Sequence, residues 1–186
     1  GYHPPYRMEG LKIKGKKDEY LTDRLTSMAL DFMGQSKDKP FFLYLSHFSV
    51  HDPIQGRKDL VDKYRVKLAT LPPLEGPPFI LEGNPDDKAP LSRGKLTDLL
   101  GKSSHQGHKV LPQRTIKIKQ RQDNVEFAAM VESVDESLGR VLEKLDEMGQ
   151  ADNTIVIFYS DNGGMSAGNF GNPTRIVQQN QLDRTY

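Results

Sequence analysis

Cysteine is absent from the 186 residues, which removes disulfides, thiolate zinc sites and a cysteine nucleophile from anything these residues do by themselves. That absence leaves the compartment open. No run of about 18 apolar residues occurs, so nothing reads as a membrane-spanning helix, and the start lacks the apolar stretch and small-residue cleavage site of a secretory leader. The sequence opens on Gly1 without an initiator methionine, as expected for a processed protein or for a piece of a longer one. An excess of one charge is also missing: 26 Lys and Arg stand against 25 Asp and Glu, for a net charge of +1. Such a balance gives no global attraction to nucleic acid or to an anionic membrane, neither of which is expected as a partner, and any basic patch has to be local.

The residues that are present alternate between two periodicities. Leu25, Met28, Ala29 and Phe32 fall at helical spacing, predicting a helix over 22–33 with Thr22 as its cap. Residues 41–46 (Phe-Phe-Leu-Tyr-Leu-Ser) form a short apolar run without polar alternation, the pattern of a strand buried on both faces of a parallel sheet. A polar loop with two histidines, His47 and His51, follows it. The longest helix is predicted over 124–148, where Phe127, Val131, Val134, Leu138, Val141, Leu145 and Met148 are spaced alternately by four and three. A coiled coil fits that spacing. Ala128, Met130 and Leu142 broaden the stripe, which favours a helix lying on a sheet. Gly149 stands where a left-handed cap is expected, and Asp135, at the edge of the stripe, reads as a partly buried carboxylate bonded to backbone.

Between these elements, periodicity fails from about 71 to 120, where seven of the twelve prolines lie, and little regular structure is expected. Within it, 93–121 carries eight Lys or Arg against the single acid Asp98, and Thr115-Ile116-Lys117-Ile118-Lys119 alternates like a half-exposed strand. The basic run is either a solvated face or a basic wall, including Lys117 and Lys119, beside an anionic substrate.

A second buried strand is predicted over 154–160, rich in β-branched and aromatic residues. It ends in Asp161-Asn162-Gly163-Gly164. Helix feeding strand is half of a βαβ unit, and open α/β sheets place their sites beyond the carboxyl ends of their strands. Both the His47–His51 loop and the Asp161 turn hold that position. Asp161 and Asn162 offer a carboxylate and an amide oxygen, hard donors suited to calcium or magnesium, but calcium takes six to eight oxygens and further ligands have to come from elsewhere. By residue type alone, Asp-Asn-Gly-Gly is most often an ordinary turn, and an isolated histidine such as His51 is more often structural than catalytic.

Taken together and in order, residues 40–47 with His51-Asp52-Pro53, the helix segment 127–142, the strand segment 151–158 and Ser160-Asp161-Asn162-Gly163-Gly164 resemble the sulfatase family of the alkaline phosphatase superfamily. The likeness covers about 20–164, and 71–120 is similar mainly to a subset of bacterial sulfatases. The resemblance implies an α/β fold, part of a doubly wound, mostly parallel sheet with helices on both faces. It implies hydrolysis of a sulfate ester by a formylglycine made from Cys or Ser in a Cys/Ser-x-Pro-x-Arg motif, with calcium beside it polarising the sulfuryl oxygens. Carried over by position, Asp161 and Asn162 are calcium ligands, and His51 contacts the sulfate or the leaving oxygen, where an imidazole can donate a hydrogen bond or a proton near neutral pH. His47 is left as a structural or supporting residue.

Several family features are missing from these residues: the formylglycine motif, the paired aspartates near the family's N-terminus that complete the calcium site, the lysine and histidine that follow the nucleophile, and the sulfate-binding lysine after Asp-Asn-Gly-Gly. The expectation is therefore an internal part of a bacterial arylsulfatase-like enzyme spanning 1–186, with core segments at about 20–65 and 123–164 and a loop-rich insertion at about 66–122. As an isolated chain it is expected to be inactive, with calcium completed by ligands outside it. The family resemblance implies a periplasmic or secreted parent protein, and the local basic excess suits an anionic sulfated carbohydrate as substrate. Two alternatives stand beside this: phosphoric or phosphonate ester hydrolysis on the same scaffold, and a noncatalytic module holding sulfated glycans through 93–121.

Overall fold

Asn124 opens the longest element by accepting a hydrogen bond from the Phe127 N–H at 3.2 Å, which satisfies one of the amides that a helix start leaves unpaired. Helix α4 then runs over Val125–Glu147. Its end matches the sequence prediction: Gly149 adopts φ +65°, and the N–H groups of Gly149 and Gln150 reach the Asp146 and Leu145 carbonyls, both at 2.9 Å. That pair of bonds is a Schellman closure, which only a residue tolerant of positive φ permits. The structure, a computed structural model, describes residues 1–6, 10–11, 16–77, 79–84, 87–102, 104–105, 108–111, 115–161, 163 and 176–178. Two compact units form, one from Gly1–Thr70 with Asn124–Ser166 and the other from Leu71–Asp123 with Ala167–Tyr186.

In the first unit α4 packs against α1 (Leu21–Gln35) and α2 (Lys58–Ala69). Met130, fully buried, belongs to a cluster with Tyr2, Tyr6, Leu11, Tyr20 and Leu21. Its chain neighbour Ala129 belongs to a second cluster with Leu60 and Val61, so adjacent α4 residues serve two separate cores. The seam between α1 and α4 is partly hydroxylic, with Thr22, Thr26, Ser133 and Ser137 all buried. Buried hydroxyls have to be bonded. Thr26 donates to the Thr22 carbonyl and Ser133 to the Met130 carbonyl, each at 2.7 Å.

Where the chain enters α2 it crosses α4 at Gly56. A Cβ there would lie 2.7 Å from Ala129 Cβ, 2.7 Å from Val61 Cγ2 and 2.9 Å from the Glu126 carbonyl oxygen, while the Gly56 N–H donates to Glu126 Oε2 at 2.7 Å. Beside it Arg57 joins three elements, pairing with Asp23 at 3.2 Å, Asp59 at 2.8 Å and Glu136 at 2.7 Å.

The second unit pairs β1 (Phe79–Gly83) antiparallel with β4 (Thr115–Lys119), Leu81 opposite Lys117 and Phe79 opposite Lys119. Helix α3 (Arg93–Lys102) packs by β1 through fully buried Leu96. A second small sheet orders β2 (Ser104–His105), β3 (His108–Leu111) and β5 (Ile176–Gln178), with β2–β3 antiparallel and β3–β5 parallel.

Several expectations are corrected. Residues 41–46 and 154–160 form no strand. In 41–48 exposure alternates residue by residue, the signature of extended chain, with Phe42 86% and Tyr44 81% exposed; Ile155, Ile157 and Tyr159 are 89%, 81% and 82% exposed. Extended propensity is local, but a ladder needs a neighbour, and among the described residues neither segment has one. A doubly wound sheet is thus not assembled among the described residues. The helices bury only part of the predicted stripes: Ala29, Met130 and Leu145 are buried, whereas Met28, Phe32, Val131 and Leu142 are exposed, and Asp135 is exposed and not partly buried. Thr22 does not cap α1; Tyr20 holds that position without a side-chain bond. Finally, 71–120 contains four strands and a helix where little regular structure is expected; its Thr115–Lys119 segment is a strand as predicted, with Thr115 buried and Ile118 exposed. Among the described residues no helix is long and apolar enough to cross a membrane.

Candidate functional site

The loop carrying His47 and His51 leaves the extended segment and is held at several points by residues distant in sequence. The Tyr2 hydroxyl lies 2.6 Å from the Phe48 carbonyl and 2.9 Å from the His51 carbonyl, so its one proton is shared across the turn. Burial, reinforced by neighbouring Tyr20, pushes the Tyr2 phenol up to about 12, which keeps it a donor throughout the physiological range. The two rings stack with centroids 5.7 Å apart. The Tyr20 hydroxyl donates to the Gln55 carbonyl at 2.8 Å, the Gln55 side chain accepts from the Tyr2 N–H at 3.1 Å, and Ser49 Oγ meets Thr22 Oγ1 at 2.9 Å. The turn itself closes through the His51 N–H on the Phe48 carbonyl at 2.9 Å.

This clamp leaves His51 exposed at the tip. Its Nδ1 lies 3.1 Å from the Asp52 carbonyl. A carbonyl only accepts, so Nδ1 carries the proton in that bond and Nε2 is the nitrogen turned to chemistry. An imidazole so presented can accept a proton when neutral, or donate one as the cation. His47 has the opposite setting. Its Nε2 lies 3.0 Å from Ser137 Oγ on α4, its Nδ1 is buried, and desolvation holds its pKa below the usual histidine value.

Asp161 is exposed at the end of the second extended segment, in a turn where Gly163 takes φ +77° and its N–H donates to Ser160 Oγ at 2.9 Å. Asn162 lies outside the described residues. For a hard cation the donor set fits in kind but not in number, because one described carboxylate cannot approach the coordination calcium requires. Among the described residues no group of three or more His, Asp or Glu is disposed to hold a metal ion. Lys117 and Lys119 sit in β4 of the second unit, whereas His51 and Asp161 belong to the first.

Sequence reasoning missed the residues that shape the histidine loop. Tyr2, Tyr20 and Gln55 act across separations of 35 to 53 residues, and no periodic signal connects them.

The family model described as Sulfatase matches residues 2–183. A sulfatase of Schizosaccharomyces pombe is 30% identical over 154 residues, covering 81% of this chain and 27% of that protein. A multifunctional alkaline phosphatase superfamily protein, PehA, of Trinickia caryophylli is 29% identical over 141 residues, 74% of this chain and 26% of its own length. A sulfatase of Formosa agariphila is 28% identical over 182 residues, 92% of this chain and 23% of its own. The chain thus spans about a quarter of the length of these curated relatives.

Proposed function

The chain belongs to the sulfatase family, and from that premise we propose that it serves a calcium-dependent sulfate ester hydrolase of arylsulfatase type, in which His51 meets the sulfate or the leaving oxygen. The match over residues 2–183 carries this reading, and the clamped, exposed imidazole supports it. In this reading a nucleophile oxygen bonds to sulfur as the S–O bond to the leaving oxygen breaks, and the proton that the leaving oxygen needs comes from Nε2–H of the His51 cation. Tyr2 and Thr22 keep that nitrogen in place by fixing the turn behind it. Calcium, when bound, supplies charge for the sulfuryl oxygens; Asp161 and Asn162 are this chain's contribution to its ligands. The nucleophile is a formylglycine contributed from outside these residues, because no Cys-x-Pro-x-Arg or Ser-x-Pro-x-Arg occurs among them. The substrate is a sulfated carbohydrate, a reading supported by the local basic excess over 93–121 that includes Lys117 and Lys119, and the setting is periplasmic or extracellular.

The purified chain, given calcium and an aryl sulfate, is expected to show no turnover. Robust hydrolysis, lost in His51→Ala, would place the nucleophile within these 186 residues and refute its assignment elsewhere. The similarity to the multifunctional alkaline phosphatase superfamily protein favours one second reading, hydrolysis of phosphoric or phosphonate esters. A threonine, or a serine outside the Ser-x-Pro-x-Arg context, as nucleophile of the complete enzyme, with aryl phosphate preferred over aryl sulfate, would establish that reading over the first.

A further inference from the structure

His47 lies four residues before the proposed working histidine and has no part in the chemistry outlined above, yet it terminates a buried chain of hydroxyls whose polarity can be worked out. Thr26 Oγ1 lies 2.7 Å from the Thr22 carbonyl, 2.6 Å from Ser137 Oγ, and Ser137 Oγ lies 3.0 Å from His47 Nε2. The carbonyl at one end can only accept, so the single Thr26 hydroxyl proton is committed to it. Thr26 oxygen must then accept from Ser137, which commits the Ser137 proton in turn. Ser137 oxygen is left as an acceptor, and the contact with His47 is a hydrogen bond only if Nε2 carries a proton. Every link runs in one direction, from imidazole to helix backbone.

We propose that His47 is a positioning residue for the His51 loop, locked by the Thr22–Thr26–Ser137 chain as the Nε2–H tautomer and thereby tied to both α1 and α4. The functional weight of this lock rests on the reading of His51 given above, but the lock itself does not. The anchor has a geometric purpose: Ser49 is held on Thr22 of α1, and the turn carbonyls of Phe48 and His51 on Tyr2, whereas the bond from His47 ties the loop to α4, beside the packing of Val50 on the cluster that holds Met130. Burial supports the same state, since desolvation disfavours a second ring proton. The two loop histidines are then opposite tautomers, His47 protonated at Nε2 and His51 at Nδ1, which no averaging over a free loop would produce.

Long-range proton–nitrogen correlation spectra of the imidazoles in the purified chain, recorded above pH 7.5 where the unperturbed ring is neutral, read this directly without any need for turnover. The expected result is one histidine with protonated Nε2 and unprotonated Nδ1, assigned to His47 by its disappearance in His47→Gln. Ser137→Ala should move that ring toward the tautomer mixture of an unconstrained imidazole and shift the His51 resonances. Ser133→Ala, which alters the same buried seam without touching the chain of hydroxyls, should leave the His47 ring unchanged. His47→Gln, whose amide can replace the Nε2 donor, should keep the His51 resonances near their native positions, and His47→Asn should not. An Nδ1–H tautomer at His47, free-histidine averaging in the native chain, or equal effects of Ser133→Ala and Ser137→Ala would each overturn the proposal. Turnover of a sulfate or phosphate ester by any form of the protein bears on the reaction, and leaves this lock to stand or fall on the spectra.

Discussion

Replacing Gly56 by alanine drives a methyl group into the crossing between the lead-in to α2 and α4. The new carbon would sit 2.7 Å from both Ala129 Cβ and Val61 Cγ2 and 2.9 Å from the Glu126 carbonyl, against a comfortable separation of about 3.5–4.0 Å. Rotation of a side chain cannot relieve this, since Ala129 has no rotamers and the Glu126 oxygen is helix backbone. The two elements have to part by roughly 1 Å. Overpacking of this kind costs about 1–3 kcal/mol. Movement also stretches the 2.7 Å bond from the Gly56 N–H to Glu126, and bonds to charged groups contribute about 1.5–3 kcal/mol when intact. Partial loss brings the expected total to about 3 kcal/mol. In urea, followed by circular dichroism at a helical wavelength, that corresponds to a midpoint lower by about 1–3 M at unchanged slope. Adding Ala129→Gly removes one of the three close contacts and should recover only part of the loss. A midpoint within about 0.2 M of the native one, on the scale of these slopes, would show that the crossing has room to spare, and the reasoning from close approach would be wrong.

Met130, fully buried in the cluster that includes Tyr20 and Leu21, should cost about 2–5 kcal/mol as alanine by the transfer and cavity terms together; a loss under about 1 kcal/mol in the same titration would contradict that packing. Arg57→Gln removes a guanidinium whose side chain is 21% exposed and faces three carboxylates. Its loss should cost about 1 kcal/mol, shrinking as salt is added, and a salt-independent effect would argue for packing as the cause. Because burial depresses the pKa of His47, the unfolded chain takes up its proton near the ordinary value of about 6.5 while the folded chain does not. Stability should therefore be fully present above that value and decline as pH falls through it, the loss ending below the folded pKa. His47→Gln should flatten this slope, and an unchanged slope would assign the pH dependence to other groups.

What the sequence made legible was what depends on short-range chemistry. The length of α4 and the left-handed Gly149 follow from a repeating apolar spacing and a single residue's steric freedom, and Thr115–Lys119 announces its strand by alternation. The ordered motifs around His51 and Asp161 pointed to the family for a different reason: their order along the chain survives even where no doubly wound sheet is assembled among the described residues. Partner-dependent features were hidden. Which face of α1 is buried was decided by Thr26 and Ser137 meeting across 111 residues, against the more apolar Met28 and Phe32. Helix α2 has only a weak signature in the sequence: Leu60, Tyr64 and Leu68 recur at intervals of four, but Lys and Asp dominate the segment. The clamp on the histidine loop depends on Tyr2, whose sequence surroundings offer no hint of it.

The two bare extended segments also govern how the protein behaves in a tube. Phe42, Tyr44, Ile155, Ile157 and Tyr159 present apolar side chains to water along backbone whose N–H and C=O groups have no ladder among the described residues. Such segments template pairing with any similar strand they meet. Concentration, more than temperature, should then set the limit of handling: dilute preparations stay dispersed, while concentrated ones thicken into β-rich, dye-binding deposits, with a net charge of +1 too small to hold the particles apart.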